Sequence, residues 1–584
     1  MPVSITQGDS LLAVDVGAAT TRAVFFDVVD GQYRLIAAGQ APSTAEAPFK
    51  NVAEGVRSAI ERLQSIMGRT LLDGERRLIS PADPDGGGVD MFVATLSAGP
   101  TLRAVVMGLL ADASVESARR LTQTIYARIV DTISLGDGRR ADELIDGFLR
   151  QRPDLVVMTG GTDGGASRSI EKLLESLVLG AYLMPQERRP AVLFAGNQEM
   201  ETKVREALGA RVPSLHFSPN VRPSLETEDL EPAARELARL FIEVRRNQLN
   251  GVDTLESWSN GHILPTGYAT GRMMRFLSRV YGSDRGILSV DIGASATMIA
   301  AGFKDKSTLG IYPQFGMGEN LAGLLGYTTP EEILRWSALD LPAEGLRDHL
   351  YQKSLYPASI PATPEEQALS QAIAKQALYL AMQAAKRDFP RSAGSLRRGL
   401  TPLFDPIIAG GGALSNSPTP GQSLLLLLDA IQPVGVTTVI LDQNNLLPLL
   451  GAAAGRNSVL PVHVLDSGAF MSLGSVVSPA GTAAYGAPLL AARLIYEDGT
   501  EARCDLKSGS IETLPLSSGQ AARLVLQPAG RADAGFGPGR EGSVMVRGGA
   551  LGLVLDGRGR PLALPADRAR RREMLTNWQW ALGG

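Results

Sequence analysis

One short segment occurs twice in this chain of 584 residues. Residues 11–21 read LLAVDVGAATT and residues 286–297 read GILSVDIGASAT, with the Asp, the Gly, an Ala and the final Thr in register. In each copy an apolar run short enough for a buried strand ends in Asp-x-Gly, and small or hydroxyl residues lead into a second apolar run. Each copy predicts a tight β-hairpin, and the duplication predicts two related lobes with a cleft between them.

Such a hairpin has the chemistry to bind phosphate. Its Gly allows close backbone approach, its successive N–H groups can surround an anion, and its Asp can hold hydrated Mg²⁺. A lone copy would be an ordinary β-turn that begins with Asp, but two facing copies could hold a polyphosphate from both sides. We therefore expect Asp15 and Asp291 to orient Mg²⁺ through water. The residues expected to face the phosphates are Gly17, Thr20 and Thr21 on one side and Gly293, Ser295 and Thr297 on the other.

A second pattern is also present in both halves. Residues 154–165 and 406–415 each read as an apolar strand, a glycine turn and the start of a helix. The order of hairpin, helices, strand and glycine turn resembles the actin, sugar kinase and DnaK-type ATPase superfamily. The resemblance implies an α/β fold of two duplicated actin-like, ribonuclease H-like lobes with an interlobe cleft. It also implies ATP and Mg²⁺ as ligands, with Gly410, Gly411 and Gly412 beneath the adenosine.

Longer strings resemble one family within this superfamily. Residues 159–165, 194–197, 428–438 and 447–451 are similar to the glutamate mutase L (MutL) family. The similarity covers most of residues 11–478, and the tail resembles that of extended members. It implies an ATP-binding partner, a reactivating factor or chaperone, of an adenosylcobalamin-dependent carbon-skeleton mutase such as glutamate mutase. It does not imply that the chain is itself a mutase.

The second hairpin departs from the family pattern. Many relatives read GGATTD there, whereas this chain has Ala296 and Met298 in place of a hydroxyl and a carboxylate. Hydrolysis could be slow or absent while nucleotide binding survives, and the sequence leaves open whether ATP is turned over. Two alternatives also stay open: a small-molecule kinase, for which no acceptor-site signature is evident, and a scaffold whose nucleotide site has decayed.

Several weaker site candidates follow from the same resemblance. Asp163 is a candidate polar group near the cleft, with a turn-capping aspartate as the alternative. Gln314 and Glu319 are candidates for arranging a water molecule. A helix before the adenosine turn often contributes a polar residue to the nucleoside, which nominates Lys386 or Arg387, although two solvated charges in a last helical turn are the simpler interpretation.

Length and composition fit a multidomain protein. We expect a first lobe at residues 1–285, a second at 286–478, and an all-β domain with a short terminal helix at 479–584. The net charge is −4 and the cations are dispersed except near the C-terminus, so no nucleic-acid groove is expected. Cys504 is the only cysteine, which excludes an internal disulfide. Neither a secretory signal nor a membrane-spanning run is evident, so a cytoplasmic protein is expected.

Three helices have clear signals. Asn51 and Glu54 predict an N-terminus for a helix that ends at Met67 before Gly68. Residues Thr363-Pro364-Glu365-Glu366 predict the start of a helix that reaches Asp388 or Phe389. Apolar spacing after Ser114 predicts a third helix that continues through Tyr126 to Val130.

Overall fold

The computed structural model describes residues 9–281, 285–304, 306–390 and 393–583. Within these ranges the strands form four sheets. No helix in the described part of the chain combines the length and the apolar character needed to cross a membrane.

The elements are numbered here in chain order. The first part contains β1 (Leu11–Val16), β2 (Thr20–Val29), β3 (Gln32–Pro42), α1 (Val52–Met67), β4 (Met91–Leu96), β5 (Leu102–Gly108), α2 (Ser114–Thr122), β6 (Ala127–Ser134), α3 (Ala141–Gln151), β7 (Leu155–Met158), α4 (Ser167–Leu183), β8 (Ala191–Phe194), α5 (Glu201–Leu208), β9 (Leu215–Phe217), α6 (Glu231–Gln248), α7 (Val252–Ser259), β10 (Ile263–Pro265) and α8 (Thr266–Tyr281). The second part contains β11 (Gly286–Ile292), β12 (Thr297–Phe303), β13 (Lys306–Tyr312), α9 (Pro330–Leu334), α10 (Ala343–Leu355), α11 (Pro364–Ala385), β14 (Phe404–Gly410), α12 (Gly412–Ser415), α13 (Pro420–Ala430), β15 (Gly435–Leu441), α14 (Leu446–Ala453), α15 (Leu460–Asp466) and β16 (Met471–Ser478). The last part contains β17 (Pro488–Ile495), β18 (Glu501–Lys507), β19 (Ile511–Leu514), β20 (Ala521–Pro528), β21 (Gly542–Arg547), β22 (Leu553–Asp556) and α16 (Arg568–Ala581). Short 3₁₀ helices span Gln186–Arg188, Gln198–Met200, Pro313–Phe315 and Leu321–Gly326.

Two of the sheets repeat one topology. The first sheet has the order β10-β4-β1-β2-β3, and the second contains the run β15-β14-β11-β12-β13. In both, three antiparallel strands follow one another along the chain, and two later strands are added parallel to the first of them. The repeated order and direction confirm the expected α/β fold of two duplicated lobes.

A third sheet is inserted into the first lobe. Strands β5 to β9 are all parallel and lie in the order β6-β5-β7-β8-β9, with helices between successive strands. The glycine turn at residues 159–165 follows β7, so it belongs to this insertion. The counterpart of β14 in the first lobe is therefore β4, and the pairing of residues 154–165 with 406–415 was wrong. Any buried parallel strand that turns into a helix produces the same sequence pattern, and chain order does not reveal an insertion.

The C-terminal region is rich in β-structure, as expected. Strands β17, β18, β20 and β21 form a separate four-stranded sheet, whereas β19 and β22 extend the second lobe's sheet to eight strands beyond β16. Helix α16 folds back onto this lobe, where the Trp578 Nε1–H donates to the carbonyl oxygen of Gly509 at 2.7 Å. The region is thus continuous with the second lobe.

The predicted helices agree with the structure at their N-termini. Asn51 caps α1 by accepting a hydrogen bond from the N–H of Ala53, and Thr363 caps α11 through the N–H of Glu366. Helix α11 ends at Ala385, a little before the predicted end. The helix predicted to reach Val130 was wrong in its second half, because residues 127–134 form β6 as a partner of β5. Sheet pairing overrides the helical spacing of the apolar residues there.

A buried ionic network joins the C-terminal region to the second lobe. The Arg558 guanidinium contacts Asp556 through Nε at 2.9 Å and Nη2 at 3.0 Å, and Asp429 of α13 through Nη1 at 2.5 Å. Lys375 of α11 contacts the other oxygen of Asp429 at 2.8 Å. Arg560 also pairs with Asp556, and all of these side chains are almost fully shielded from solvent. The two arginines hold the pKa of Asp556 below its usual value against the opposing effect of burial.

We expect Arg558→Met to lower the free energy of unfolding by about 3–5 kcal/mol, because it leaves buried carboxylates without their central cation. Chemical denaturation followed by circular dichroism measures the change. The matched control is Arg503→Met, which removes an arginine that is paired with Glu501 but 74% exposed, and which should cost less than about 1 kcal/mol. Equal losses in the two variants would contradict a structural role for the network.

Candidate functional site

A cavity of about 640 Å³ lies between the two lobes and is lined by both predicted hairpins. This volume falls within the usual range for small-molecule sites, about 300–1,000 Å³. Asp15 and Asp291 both line it, so the structure brings the two acidic hairpins to one cleft. Of the other predicted residues, those at the cavity wall are Gly17, Thr20, Gly293, Ser295, Gly411 and Gly412.

The two hairpins have the same internal geometry. The N–H of Gly17 donates to the carbonyl oxygen of Thr20 at 3.1 Å, and the N–H of Gly293 donates to that of Ala296 at 3.0 Å. The backbone N–H groups at the two tips, residues 18–19 and 294–295, have no acceptor among the described residues. Free N–H groups on two facing turns provide donors for an anion.

The Asp15 carboxylate is held by side chains from three elements. One oxygen accepts hydrogen bonds from Thr95 at 2.6 Å and Thr266 at 3.0 Å, and the other accepts from Asn445 at 2.8 Å. Asn445 precedes α14 in the second lobe, so this last bond crosses the cleft. No sequence motif indicates these three partners, since each is a single polar residue next to an apolar segment.

The Asp291 carboxylate has a different environment. It accepts no hydrogen bond from any residue that the structure describes. Burial and the negative charges of Asp15 and Asp442 together raise the pKa of Asp291 to about 7, although the positive charge of Arg22 opposes them. Asp291 is therefore the carboxylate of the pair that is free to contact a bound cation or its water.

Arg22 and Met298 occupy equivalent positions in the two hairpins. Arg22 lies opposite Asp15 across β1 and β2, and Met298 lies opposite Asp291 across β11 and β12. Both line the cleft. Arg22 was missed in the sequence, although the two-residue alternation of β2 places it on the same face as Thr20.

A third buried acid lies beneath the cleft. Asp442 follows β15 and accepts hydrogen bonds from the N–H groups of Leu446 and Leu447 at 2.7 and 2.8 Å. Burial raises its pKa to about 6, although these donors oppose the effect. Asp442 and Asp291 line a small cavity below Gly410. The sequence pattern that could have indicated Asp442 is its place directly after a buried parallel strand.

Thr21 and Thr297 do not face the cleft. Each is fully buried on the opposite face of its strand, since neighbouring residues of a strand point in opposite directions. A Cβ atom added to Gly55 of α1 would lie 3.2 Å from the Thr21 hydroxyl, and the Thr297 hydroxyl donates to the carbonyl oxygen of Phe315 at 2.7 Å. The prediction that these threonines contact phosphate was wrong for this reason.

The glycine turn after β14 approaches the second hairpin closely. A Cβ atom on Gly411, whose φ is +89°, would lie 2.5 Å from the backbone of Ile292. Gly410 does not line the cleft itself, but a Cβ atom on it would lie 3.3 Å from an Asp291 carboxylate oxygen. The turn therefore needs glycine to form this edge of the cleft.

Asp163 lies outside the cleft, in the inserted sheet. Its carboxylate accepts hydrogen bonds from the N–H of Gln198 at 3.2 Å and from Asn220 at 2.9 Å. It thus stabilises the glycine turn after β7, which corrects its nomination as a polar group near the cleft and favours the turn-capping alternative. Gln314 and Glu319 also lie outside the residues that line the cleft, although Met317 between them is at its wall.

Lys386 and Arg387 do not reach the cleft either. Helix α11 lines the cavity with residues near its beginning, Gln367, Ser370 and Gln371, and its C-terminal end points away. The polar residues that this helix places at the cleft therefore lie at the opposite end from Lys386 and Arg387.

The donor set fits a magnesium ion bound together with phosphates. No group of three or more His, Cys, Asp or Glu side chains in the described ranges could hold a metal by itself. Two carboxylates at the cleft, with one free of hydrogen bonds, suit Mg²⁺, which usually binds one or two carboxylates, several waters and substrate phosphates.

Comparisons with known proteins give one family. A family model described as "MutL protein" matches residues 11–468. Protein MutL of Clostridium tetanomorphum is 26% identical over 370 residues, which cover 57% of this chain and 74% of that protein. Solved structures similar to this chain include nucleotide-free acetone carboxylase, at 12% identity, TM-score 0.30, and coverage of 86% of this chain and 81% of that one. Another is the nucleotide-free diol dehydratase-reactivating factor, at 11% identity, TM-score 0.29, and coverage of 79% and 99%. The fold itself is established by the strand order and register described above.

We expect Asp15→Asn to lower the pKa of Asp291 from about 7, because the substitution removes a like charge. Arg22→Met should raise the same pKa, since it removes the opposing cation. Titration of ¹³C-labelled aspartate carboxyl carbons by NMR, without nucleotide or metal, measures both changes. Asp163→Asn is the control and should leave Asp291 unchanged. An Asp291 titration that is identical in Asp15→Asn and in the unmodified protein would contradict the electrostatic contact between the hairpins.

Proposed function

The chain belongs to the MutL family, and we propose that it binds ATP and acts as a reactivating factor for an adenosylcobalamin-dependent carbon-skeleton mutase such as glutamate mutase. One observation carries the proposal: two equivalent acidic hairpins, each with free N–H groups at its tip, line a single interlobe cavity of about 640 Å³. Facing N–H donors with two carboxylates are the chemistry that a metal-bound polyphosphate requires.

Different cleft residues would contact the phosphates, the metal and the adenosine of Mg·ATP. Gly17 and Thr20 would contact the phosphates from one side and Gly293 and Ser295 from the other. Asp291 would hold the metal through water, while Asp15, already engaged by three donors, would keep the first hairpin in place. The glycine turn at Gly411 and Gly412 and the polar residues at the start of α11 would receive the adenosine. When bound, ATP would supply a transferable terminal phosphoryl group, and its negatively charged phosphates would contact the hairpins of both lobes.

The arrangement suits a nucleotide-controlled binding protein. Lobes that close on a nucleotide and open after its release form a two-state element, and a partner that binds one state better can use the difference. Slow hydrolysis would prolong the closed state. Met298, which stands where many relatives carry a carboxylate, supports slow hydrolysis.

The kinase alternative has less support in the cleft. The only acidic residues among the described residues that line it are Asp15 and Asp291, and both belong to the hairpins. A kinase would use a further carboxylate near an acceptor hydroxyl as its base. The partner role therefore accounts better for the residues at this site.

We expect the protein to bind Mg·ATP and expect Asp291→Ala to weaken that binding by roughly tenfold or more, since charged contacts to metal and phosphate are lost. Asp15→Ala should also weaken it, because the hairpin loses its link to Asn445. Isothermal titration calorimetry with and without Mg²⁺ measures both effects. Asp163→Ala, which changes an aspartate outside the cleft, is the control. No heat of binding in the unmodified protein would leave only the scaffold alternative.

We also expect nucleotide-dependent capture of the mutase. The purified mutase, inactivated by turnover, should co-elute with the protein in one nucleotide state, ADP or ATP, and be released in the other. Recovery of mutase activity after addition of Mg·ATP and fresh adenosylcobalamin measures reactivation, and phosphate release measured in parallel shows whether hydrolysis accompanies it. Capture that does not depend on the nucleotide would argue for an adaptor, and phosphate transfer to a small metabolite would favour the kinase.

A further inference from the structure

A second, larger cavity of about 1190 Å³ lies on the opposite side of β13 from the nucleotide cleft. Ile311 lines the cleft, whereas residues 306–310 and Tyr312 of the same strand line the second cavity. The cavity walls come from both lobes: α8 and residues 226–231 on one side, and β13 with the end of α11 on the other. We call this cavity the basic groove, for the cations described next.

Seven cations line the basic groove, and besides Arg120 and Arg222, which pair with Glu228, five of them come from three elements. Arg272, Arg275 and Arg279 lie at helical spacing on α8, so they share one face of that helix. Lys306 begins β13, and Arg387 follows the end of α11. Their convergence on one cavity requires both lobes in their present arrangement.

Five acids line the groove, and three of them are paired with arginines, whereas Glu226 and Asp229 have no ion pair in the described part of the chain. Glu231 pairs with Arg275. Glu228 pairs with Arg120 at 2.5 Å and with Arg222 at 3.2 Å. Asp388 pairs with Arg119 at 2.5 Å. The carboxylate of Asp229 accepts a hydrogen bond at 3.0 Å from the backbone N–H of Glu231, the first residue of α6.

Four of the cations are left without such partners. The side chains of Arg272, Arg279, Lys306 and Arg387 have no ion pair or hydrogen bond with any residue in the described ranges. Burial lowers the pKa of Arg275, and the nearby charge of Arg279 lowers it further. Several like charges around one cavity create a positive potential that attracts an anion.

We propose that the basic groove binds a small anion that carries two or more phosphates. Four of these five cations are arginines, counting the paired Arg275, and a guanidinium presents a planar fork of donors that matches phosphate oxygens. Four cations without ion pairs lie on one wall, against the charges of Glu226 and Asp229 on the other, so this wall suits a ligand with several negative charges. The volume of the groove exceeds that of a single phosphate ion.

A compact polyphosphate fits the groove better than an acidic peptide does. The basic wall of α8, β13 and Arg387 faces residues 226–231, where Glu226 is exposed and Asp229 adds a second negative charge. An extended acidic peptide that ran along the groove would also contact residues 226–231, and the negative charges of Glu226 and Asp229 would repel it. A compact anion can contact the cations alone. The proposal is independent of ATP binding in the cleft, because no residue is shared between the two sets of charged groups.

Calorimetric titration with sodium tripolyphosphate tests the proposal. The titration is made in an Arg22→Met background, so that binding at the cleft is weakened and heat from the groove dominates. Adding Arg279→Ser and Lys306→Ser should weaken tripolyphosphate binding roughly tenfold or more, since two charge-assisted contacts are lost. Binding should also weaken steeply as the salt concentration rises.

The matched control adds Arg168→Ser and Lys172→Ser to the same background. These substitutions remove two exposed cations of α4 that likewise have no ion pair among the described residues. This control should bind tripolyphosphate as the background does. Equal weakening in both variants, or unchanged binding in the groove variant, would overturn the proposal. A tetraglutamate peptide that bound the groove more tightly than tripolyphosphate would replace it with an acidic peptide ligand. Loss of Mg·ATP binding at the cleft, by contrast, would leave tripolyphosphate binding at the groove intact.

Discussion

The cleft depends on a single carboxylate that is shared between the lobes. Asp15 ends the first strand of the first lobe, yet one of its oxygens accepts a hydrogen bond from Asn445 of the second lobe at 2.8 Å. Hydrogen bonds to a charged group contribute about 1.5–3 kcal/mol each, so this contact fixes the first hairpin against the opposite lobe. Helices α14 and α8 also pack closely at this point, because a Cβ atom on Gly451 of α14 would lie 2.0 Å from the carbonyl oxygen of Ala269 in α8. The hairpins thus face each other before any ligand arrives.

The inserted sheet adds a second link between the lobes. Arg119 of α2 pairs with Asp388 beyond the end of α11, and the carbonyl oxygen of Gln123 accepts a hydrogen bond from the N–H of Ile311 at 2.9 Å. Asn320 donates to the hydroxyl of Thr101 at 3.1 Å. Ile311 lies in β13, the strand that separates the cleft from the basic groove. Strand β13 therefore contacts the cleft, the basic groove and the inserted sheet at once.

The sequence predicted the parts of the fold that are encoded locally. The twin hairpins, the caps of α1 and α11 and the β-rich C-terminal region all follow from turn residues and periodicity within short windows. The insertion of β5 to β9 could not be predicted, because the glycine turn at residues 159–165 looks the same in an inserted sheet as in a lobe. At the site, glycines and acids of the hairpins were found by their repetition. Asn445 and Asp442 were missed because their roles arise only when distant strands are brought together.

The two hairpins have the same backbone geometry but differ in the charge of their side chains. Their register equates Arg22 with Met298 and Thr20 with Ala296, so the first hairpin offers a cation and a hydroxyl where the second offers apolar atoms. The first hairpin is therefore suited to hold negative charge in a fixed position. The second leaves Asp291 beside apolar groups, with a pKa of about 7 and no hydrogen-bond donor in the described structure. A carboxylate in that state changes its ionisation when a cation comes near, whereas the engaged Asp15 cannot change its contacts without releasing Asn445. The duplication has thus produced one hairpin whose carboxylate joins the lobes and one whose carboxylate has no hydrogen-bond partner among the described residues.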